Sequence, residues 1–392
     1  MRIARIEDLH CDAGWRVFSF LKITTDDGII GWSEYNESYG SRGLTAVIHA
    51  LGERIIGHDP RPSERITATL YAITRQAPGG LNQQAIAAIE NALTDIRAKA
   101  LGVPVHALFG GPIRERLPLY WSHCGSYRLN HAEVMGVKPL RTLADLERLG
   151  AEVKERGFHA LKTNIFLFDE TPPAMYQPGF VRARTGYPEL NAERRIREAI
   201  AAELRALRNG AGPDMALHLD LNFNFKTEGY RQVAQVVEPF ELSWLEIDSY
   251  DAAALALIRR GTRTPIASCE SLFGRRGYRP FFEAGAVDVA IIDVPWNGIA
   301  EALKIAAMAD AYEVNIAPHN FYGHLSTLMS AQLCAAAPNF RIMEIDIDDV
   351  PWKDELVTQP PVIEKGELIL PTTPGWGADI NEKAVRAHPP KR

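Results

Sequence analysis

Short apolar runs and longer amphipathic stretches divide the chain, and the change of period between them marks two kinds of structure. Residues 1 to about 35 read as antiparallel strands: MRIARIEDL, then VFSFLKITT, a turn at Asp26 to Gly28, and IIGWSE. From about 41 to 110 the apolar spacing becomes helical. It is clearest in QQAIAAIENALTDIRAKALG, where Ile86, Ile89, Ala92, Leu93 and Ile96 recur at threes and fours and Gly102 supplies the stop. Strands followed by helices make an α+β unit. After Gly110, Gly111 and Pro112 short apolar strands alternate with helices, as in a parallel sheet of βα units. The strands are LPLYW (117–121), HALKTN (159–164), ALHLDL (216–221), LSWLEI (242–247), TPIAS (264–268), VDVAIID (287–293), EVNIAP (313–318) and RIMEID (341–346). Such a series predicts an α/β fold of the TIM-barrel type. The expected organisation is an α+β cap at 1–115, completed by 352–392, and a barrel at 116–351.

The polar residues that end these strands carry the chemistry. Asp220, Glu246, Glu270, Asp293, His319 and Glu344 follow one another at intervals of 23 to 26 residues, about one short βα unit each. Barrel enzymes place their chemistry at the C-terminal mouth, so these side chains should converge. Asp220, Glu246 and Glu270 make an all-oxygen set that suits a hard cation, Mg²⁺ first. Asp293 and His319 end consecutive strands, where the carboxylate would hold Nδ1 and leave Nε2 as a base. The competing reading is a histidine that caps the next helix in APHNFYGH, a role that also suits His324. Glu344 would donate a hydrogen bond to a substrate carboxylate if neighbouring acids raise its pKa.

On the second strand Lys162 and Asn164 alternate to the inner face if Leu161 and Thr163 point outward. Lys162 would neutralise either the substrate's carboxylate or a metal-ligating acid. Asn222, two residues past Asp220, would offer its amide to a substrate oxygen. An insertion at about 166–192, rich in Pro, Gly and aromatics, reads as a lid-like loop over the mouth.

Composition narrows the partners. At 392 residues the chain can bury a large core, and a net charge of −6 without a basic block argues against nucleic acid or an anionic membrane. No run approaches the ~20 apolar residues of a membrane helix. Cys11, Cys124, Cys269 and Cys334 lie far apart, without metal or disulfide spacing, which fits a reducing cytoplasm. The expected partner is a small carboxylate, bound by a homo-oligomer of two to eight subunits.

With these residues in place the chain resembles the mandelate racemase group of the enolase superfamily over nearly its whole length. GWSE near Gly31, GVPVHALFGG at 102–111, Asp220-x-Asn222, WLEID around Glu246, IASCE ending in Glu270, and PGWGADI near the C-terminus carry the resemblance. It implies an α+β cap made from both chain ends and a modified (β/α)7β barrel. It also implies Mg²⁺ on Asp220, Glu246 and Glu270, and removal of the proton α to a carboxylate by the His319–Asp293 dyad. Glu344 matches the acid that ends the eighth strand. The family commonly carries K-x-K on strand two, the second Lys being a base on the opposite face; this chain has Lys162-Thr163-Asn164, and Asn cannot be that base.

Racemisation needs a base on each face, whereas β-elimination can run with one group that takes the α proton and then protonates the departing hydroxyl. The sequence therefore points to dehydration of a sugar acid, with racemisation, epimerisation, cycloisomerisation or a non-catalytic metal-binding role as alternatives. His123, Tyr127 or the insertion would supply a second acid. Arg128, Arg182 and Arg184 are candidates to grip a polyhydroxy acid, and Trp15 and Arg16 lie in a loop like the family's specificity loop.

Overall fold

A computed structural model describes residues 1–180 and 187–391; Arg182 and Arg184 lie outside the described residues. Strands β1 (Ile3–Asp12), β2 (Val17–Thr25) and β3 (Ile30–Tyr35) form an antiparallel meander, as their alternation predicts. Helices α1 (Leu44–Gly52), α2 (Ser63–Ile73) and α3 (Gly80–Leu101) cover it. Their apolar stripe, including Ile86, Ile89, Leu93 and Ile96, packs on Ile3, Leu21 and Ile23 of the sheet. Gly102 ends α3 in the left-handed conformation at φ +68°, which a side chain would resist. At Gly31 a Cβ would meet the carbonyl oxygen of Ala92 at 2.1 Å, so glycine lets β3 lie directly on α3.

The parallel strands come next in the chain. They are β4 (Arg116–Ser122) and β5 (Ala160–Thr163), then, after a hairpin of β6 (Phe166–Leu167) and β7 (Ala174–Met175), β8 (Ala216–Asp220) and β9 (Trp244–Glu246). The series continues with β10 (Ile266–Ser268), β11 (Val289–Asp293), β12 (Asn315–His319) and β13 (Met343–Asp346). β4 pairs in parallel with β5 on one side and β13 on the other, and parallel pairing runs on from β5 through β8 to β12. The Ile316 amide to Asn339 and the Arg341 amide to Ile316, both 2.9 Å, join the stretch before β13 to β12 and close the barrel. The fold is the capped TIM-type barrel that the sequence predicts.

Alternation along each strand sorts the side chains. Tyr120, Ala160, Trp244, Ala267, Ile291 and Ala317 fill the barrel's inside. Leu161, Leu217, Leu245, Ile266 and Ile292 face the surrounding helices. The outward position of Leu161 places Lys162 inward, the parity expected from the sequence.

The C-terminal segment serves both parts. β14 (Val362–Glu364) and β15 (Glu367–Ile369) form a hairpin antiparallel to β4, which extends the barrel sheet. Farther on, Trp376 Nε1 donates to the carbonyl of Trp32 at 2.8 Å and the Trp376 amide to Asp95 Oδ1 at 3.1 Å, anchoring the chain end to β3 and α3. Among the described residues no helix is long and apolar enough to cross a membrane, and the four cysteines are buried free thiols.

Candidate active site

The strand ends meet at one mouth. Asp220 and Glu246 are register partners on β8 and β9, and Asp293 and His319 on β11 and β12. Lys162, on β5, reaches across: its Nζ stands 3.0 Å from Glu246 Oε1, 3.0 Å from Glu344 Oε1 and 3.6 Å from Asp220 Oδ2. Of the two roles open to it, the geometry shows partnership with acids. Asp220 Oδ1 also accepts from the amide and side chain of Asn222, each at 2.8 Å, and Glu246 Oε2 from Trp244 Nε1 at 3.0 Å.

Burial of so many acids has a direct electrostatic consequence. Burial raises the Glu246 pKa to about 8; Lys162 opposes the rise, and Asp220, Glu270 and Glu344 add to it. Asp248, which the sequence reading missed, is raised by burial and by Glu270, Asp220 and Glu246. Glu270 is raised chiefly by burial as well. Among the described residues no three acids, histidines or cysteines are gathered closely enough to hold a metal ion as they stand. Asp220, Glu246 and Glu270 are buried oxygen donors with more negative than positive charge around them, the type of group that a hard divalent cation takes.

His319 is 7 % exposed, and its Nδ1 lies 2.7 Å from Asp293 Oδ2. An ionised carboxylate only accepts, so Nδ1 carries the proton and Nε2 is left toward the acids, 3.6 Å from Glu270 Oε2. Asp293 is itself held by Tyr322, whose hydroxyl donates to Oδ2, and by the Trp296 amide at 2.7 Å to Oδ1. Burial alone would lower the His319 pKa, but Glu270, Asp293 and Glu344 override it and, with no cation on the acids, push the value up to about 10; a divalent cation on Glu270 would cancel that attraction and favour the neutral imidazole that a base requires. The helix-cap alternative for His319 does not hold. The helix His324–Ala336 is met at its first amides by Glu34, which accepts from Gly323 at 2.6 Å and Ser326 at 2.9 Å. His324 instead pairs with Asp354 at 2.6 Å.

Several expectations need correction. Glu344 is not a raised, hydrogen-donating acid: burial would raise its pKa, yet Lys162, His319, His123 and Ser122 hold it down to about 2. Its oxygens accept from Ser122 Oγ and from the Asn320 amide at 2.6 Å. Arg16 is buried, with NH1 donating to Asp346 at 3.0 Å and to Tyr127 at 2.9 Å, and NH2 to Asp349 at 2.6 Å. It ties the loop after β1 to the end of β13 and is not free to grip a ligand. Arg128 is likewise committed to Asp348 and Glu152 at 2.7–2.9 Å.

The remaining candidates border the mouth. Asn164 accepts from Ser126 Oγ at 2.7 Å and turns its amide to Asn222 Oδ1 at 3.5 Å. Asn222, at φ +45°, also accepts from Gln177 of the insertion at 3.0 Å, so the described part of that loop does reach the site. Trp15 stacks on His131 and leans on Tyr127, with ring centres at 4.7 and 4.6 Å. His123 directly follows β4, with Nδ1 2.9 Å from Asp346 Oδ1. The sequence reading missed Asp248 and Asp346, although each lies two residues past a named acid on the same strand face, a signal that alternation supplies.

Residues 14–110 match the mandelate racemase / muconate lactonizing enzyme N-terminal domain, and residues 145–384 the enolase C-terminal domain-like family. The chain belongs to the enolase superfamily, in its mandelate racemase and muconate lactonizing enzyme group. It is 28% identical over 374 residues to a D-xylonate dehydratase of Haloferax volcanii, covering 94% of this chain and 84% of that one. It is 29% identical over 382 residues to a D-galactarolactone cycloisomerase of Agrobacterium fabrum, covering 94% and 90%. A crystal structure from Burkholderia xenovorans strain LB400, provisionally named an L-alanine-DL-glutamate epimerase, matches with a TM-score of 0.97 and 50% identity over 100% of this chain and 99% of that one. A second structure under that name is bound to magnesium and fumarate, with a TM-score of 0.97 and 50% identity over 100% and 96%. The relatives thus include both lyases and isomerases.

Proposed function

We propose that this protein is a Mg²⁺-dependent dehydratase of a sugar acid, a lyase that removes the α proton and the β-hydroxyl of its substrate. The observation that carries this reading is the asymmetry of the mouth. His319 is built as a base by Asp293 and Tyr322, while the position just past β5 where the family commonly has a second lysine holds Asn164, whose amide accepts no proton at neutral pH. Exchange of configuration at the α carbon calls for a base on each face. Elimination does not.

Asp220, Glu246 and Glu270 would hold Mg²⁺, which when bound supplies positive charge for the substrate's carboxylate as negative charge develops there. Lys162 adds a second, fixed cation on the same side and keeps Glu344 ionised. His319 Nε2 takes the α proton, and Asp293 steadies the imidazolium that results. Trp296 and Phe321, with ring centres 5.4 and 5.0 Å from the His319 ring, pack against the base. The D-xylonate dehydratase relative supports the reaction class, and the magnesium- and fumarate-bound neighbour supports a divalent cation beside a small carboxylate.

The cycloisomerase and epimerase names among the relatives define the second reading, an isomerase. Proton NMR in D₂O with Mg²⁺ and a panel of aldonates and aldarates separates the two. The dehydratase reading expects loss of the C2 and C3 carbinol signals with growth of a 2-keto-3-deoxy product. Exchange or inversion at C2 without loss of water would replace it with the isomerase reading.

A further inference from the structure

The mouth contains a second imidazole built like the first. His319 Nδ1 meets Asp293 at 2.7 Å, and the Tyr322 hydroxyl donates to that same carboxylate. His123 Nδ1 meets Asp346 at 2.9 Å, and the Tyr127 hydroxyl donates to that carboxylate at 3.0 Å. Both aspartates are fully buried at the side chain; His319 ends β12, and His123 is the first residue after β4. Asp346 is fixed further by Arg16, 3.0 Å from Oδ2. With Oδ1 accepting at Nδ1, the proton-exchanging atom of His123 is Nε2, which has no protein partner among the described residues.

The surroundings place the ring at the rim of the site. The His123 side chain keeps 22% of its surface exposed, more than the 8% of His319. Its ring lies flat on Tyr127, with centres 4.8 Å apart and planes 20° apart, and faces Phe321 at 6.3 Å; Phe321 is 5.0 Å from His319. One aromatic ring therefore separates the two imidazoles. His123 holds φ +46°, a left-handed backbone that a non-glycine residue adopts at a cost and that recurs where a side chain must be aimed. β4 and β12 flank β13, so His123 and His319 reach in from either side of Glu344. Glu344 carries attraction from both. Two strands out of eight put His123 a quarter of the way round the rim from His319, which suits an adjacent carbon of the substrate better than the opposite face of the same one.

We infer that His123, positioned by Asp346 and Tyr127, is a second catalytic residue, the general acid that delivers a proton from Nε2 to the departing β-hydroxyl. This rests on the dehydratase reading. The α C–H bond breaks and its proton passes to His319 Nε2; the electron pair left behind forms the C2–C3 double bond as the C3–O bond breaks. The leaving oxygen takes the His123 proton and departs as water. The enol then tautomerises to the 2-keto-3-deoxy acid by gaining a proton at C3, and His123 regains its proton from solvent. No oxidant or reductant is needed.

The test separates proton removal from loss of water. The full-length protein with Mg²⁺ and the sugar acid it dehydrates is followed by NMR in D₂O for α-proton exchange and for 2-keto-3-deoxy product. In His123→Asn, and in His123→Gln as a second variant with an intact thermal melt, elimination should fall about 10²- to 10⁴-fold while α-proton exchange persists. His319→Asn should lose both. Equal loss of exchange and elimination in the His123 variants, or loss of neither, overturns the assignment. If the unaltered protein dehydrates no acid, the dehydratase reading has failed, and carbethoxylation of His123 still decides its place. Mapped by mass spectrometry, labelling that Mg²⁺ with fumarate suppresses keeps His123 facing the substrate; undiminished labelling removes it.

Discussion

Lys162 Nζ lies 3.0 Å from Glu246 Oε1, spanning the strand that carries Asp220. The ammonium is enclosed, and the acids around it have no comparable partner among the described residues. Removing one member of a buried ion pair leaves the others uncompensated, so Lys162→Met should cost about 3–5 kcal/mol of stability. Thermal or urea unfolding without divalent cations reads the loss directly. Mg²⁺ at saturation should narrow it.

The acid cluster should also couple folding to cation binding. A cation that binds only the folded chain adds about 2.7 kcal/mol at one hundred times its dissociation constant. Addition of Mg²⁺ should raise the melting temperature, and EDTA should reverse the rise. Asp220→Asn with Glu246→Gln should abolish the response. A Mg²⁺-dependent rise that survives in that double variant would place the cation elsewhere.

Much of this was legible beforehand because a parallel barrel writes itself plainly. All eight apolar runs named from the sequence became barrel strands, and Asp220, Glu246, Asp293 and His319 are the last residues of four of them, since alternation and burial act together at those positions. What stayed hidden was pairing between distant segments. Nothing local to Trp15-Arg16 reveals that Asp346 and Asp349 will occupy the guanidinium, because those partners arrive only when β13 closes the barrel. The same holds for Glu344: the acids in its row suggest a raised pKa, but Lys162 comes from a strand far away in sequence and reverses the sign.

Glu34 gives a pH dependence away from the acid cluster. It is buried beneath the first amides of the helix His324–Ala336, and burial raises its pKa from 4.5 to about 7 even though the Ser326 and Gly323 amides oppose the change. A carboxyl whose folded pKa is raised contributes stability that is full below about pH 4.5 and is lost as pH rises through about 7. Glu34→Gln should therefore flatten the fall of melting temperature between pH 5 and 7.5. A slope unchanged from the parent would show that Glu34 is ionised throughout.

Two helices on the outside of the barrel touch through glycine. A Cβ at Gly210, in the helix Arg194–Ala211, would come within 1.8 Å of the Glu147 carbonyl oxygen in the helix Leu143–Glu155, and one at Gly150 within 2.9 Å of the Leu207 oxygen. Gly210→Ala should cost about 1–3 kcal/mol from overpacking, despite alanine's better helix propensity. Chemical denaturation at neutral pH measures it; a stabilised variant would mean that the helices can separate freely.

Elimination of water from a sugar acid with His319 as the base has one direct test. Purified protein with Mg²⁺ should be incubated with a library of acid sugars and assayed for 2-keto-3-deoxy product, with His319→Asn in parallel. Product should form from at least one acid, with a loss of about 10²-fold or more in the variant. Product formation that continues undiminished in His319→Asn, or conversion of an acid to its epimer with no keto acid formed, would contradict it.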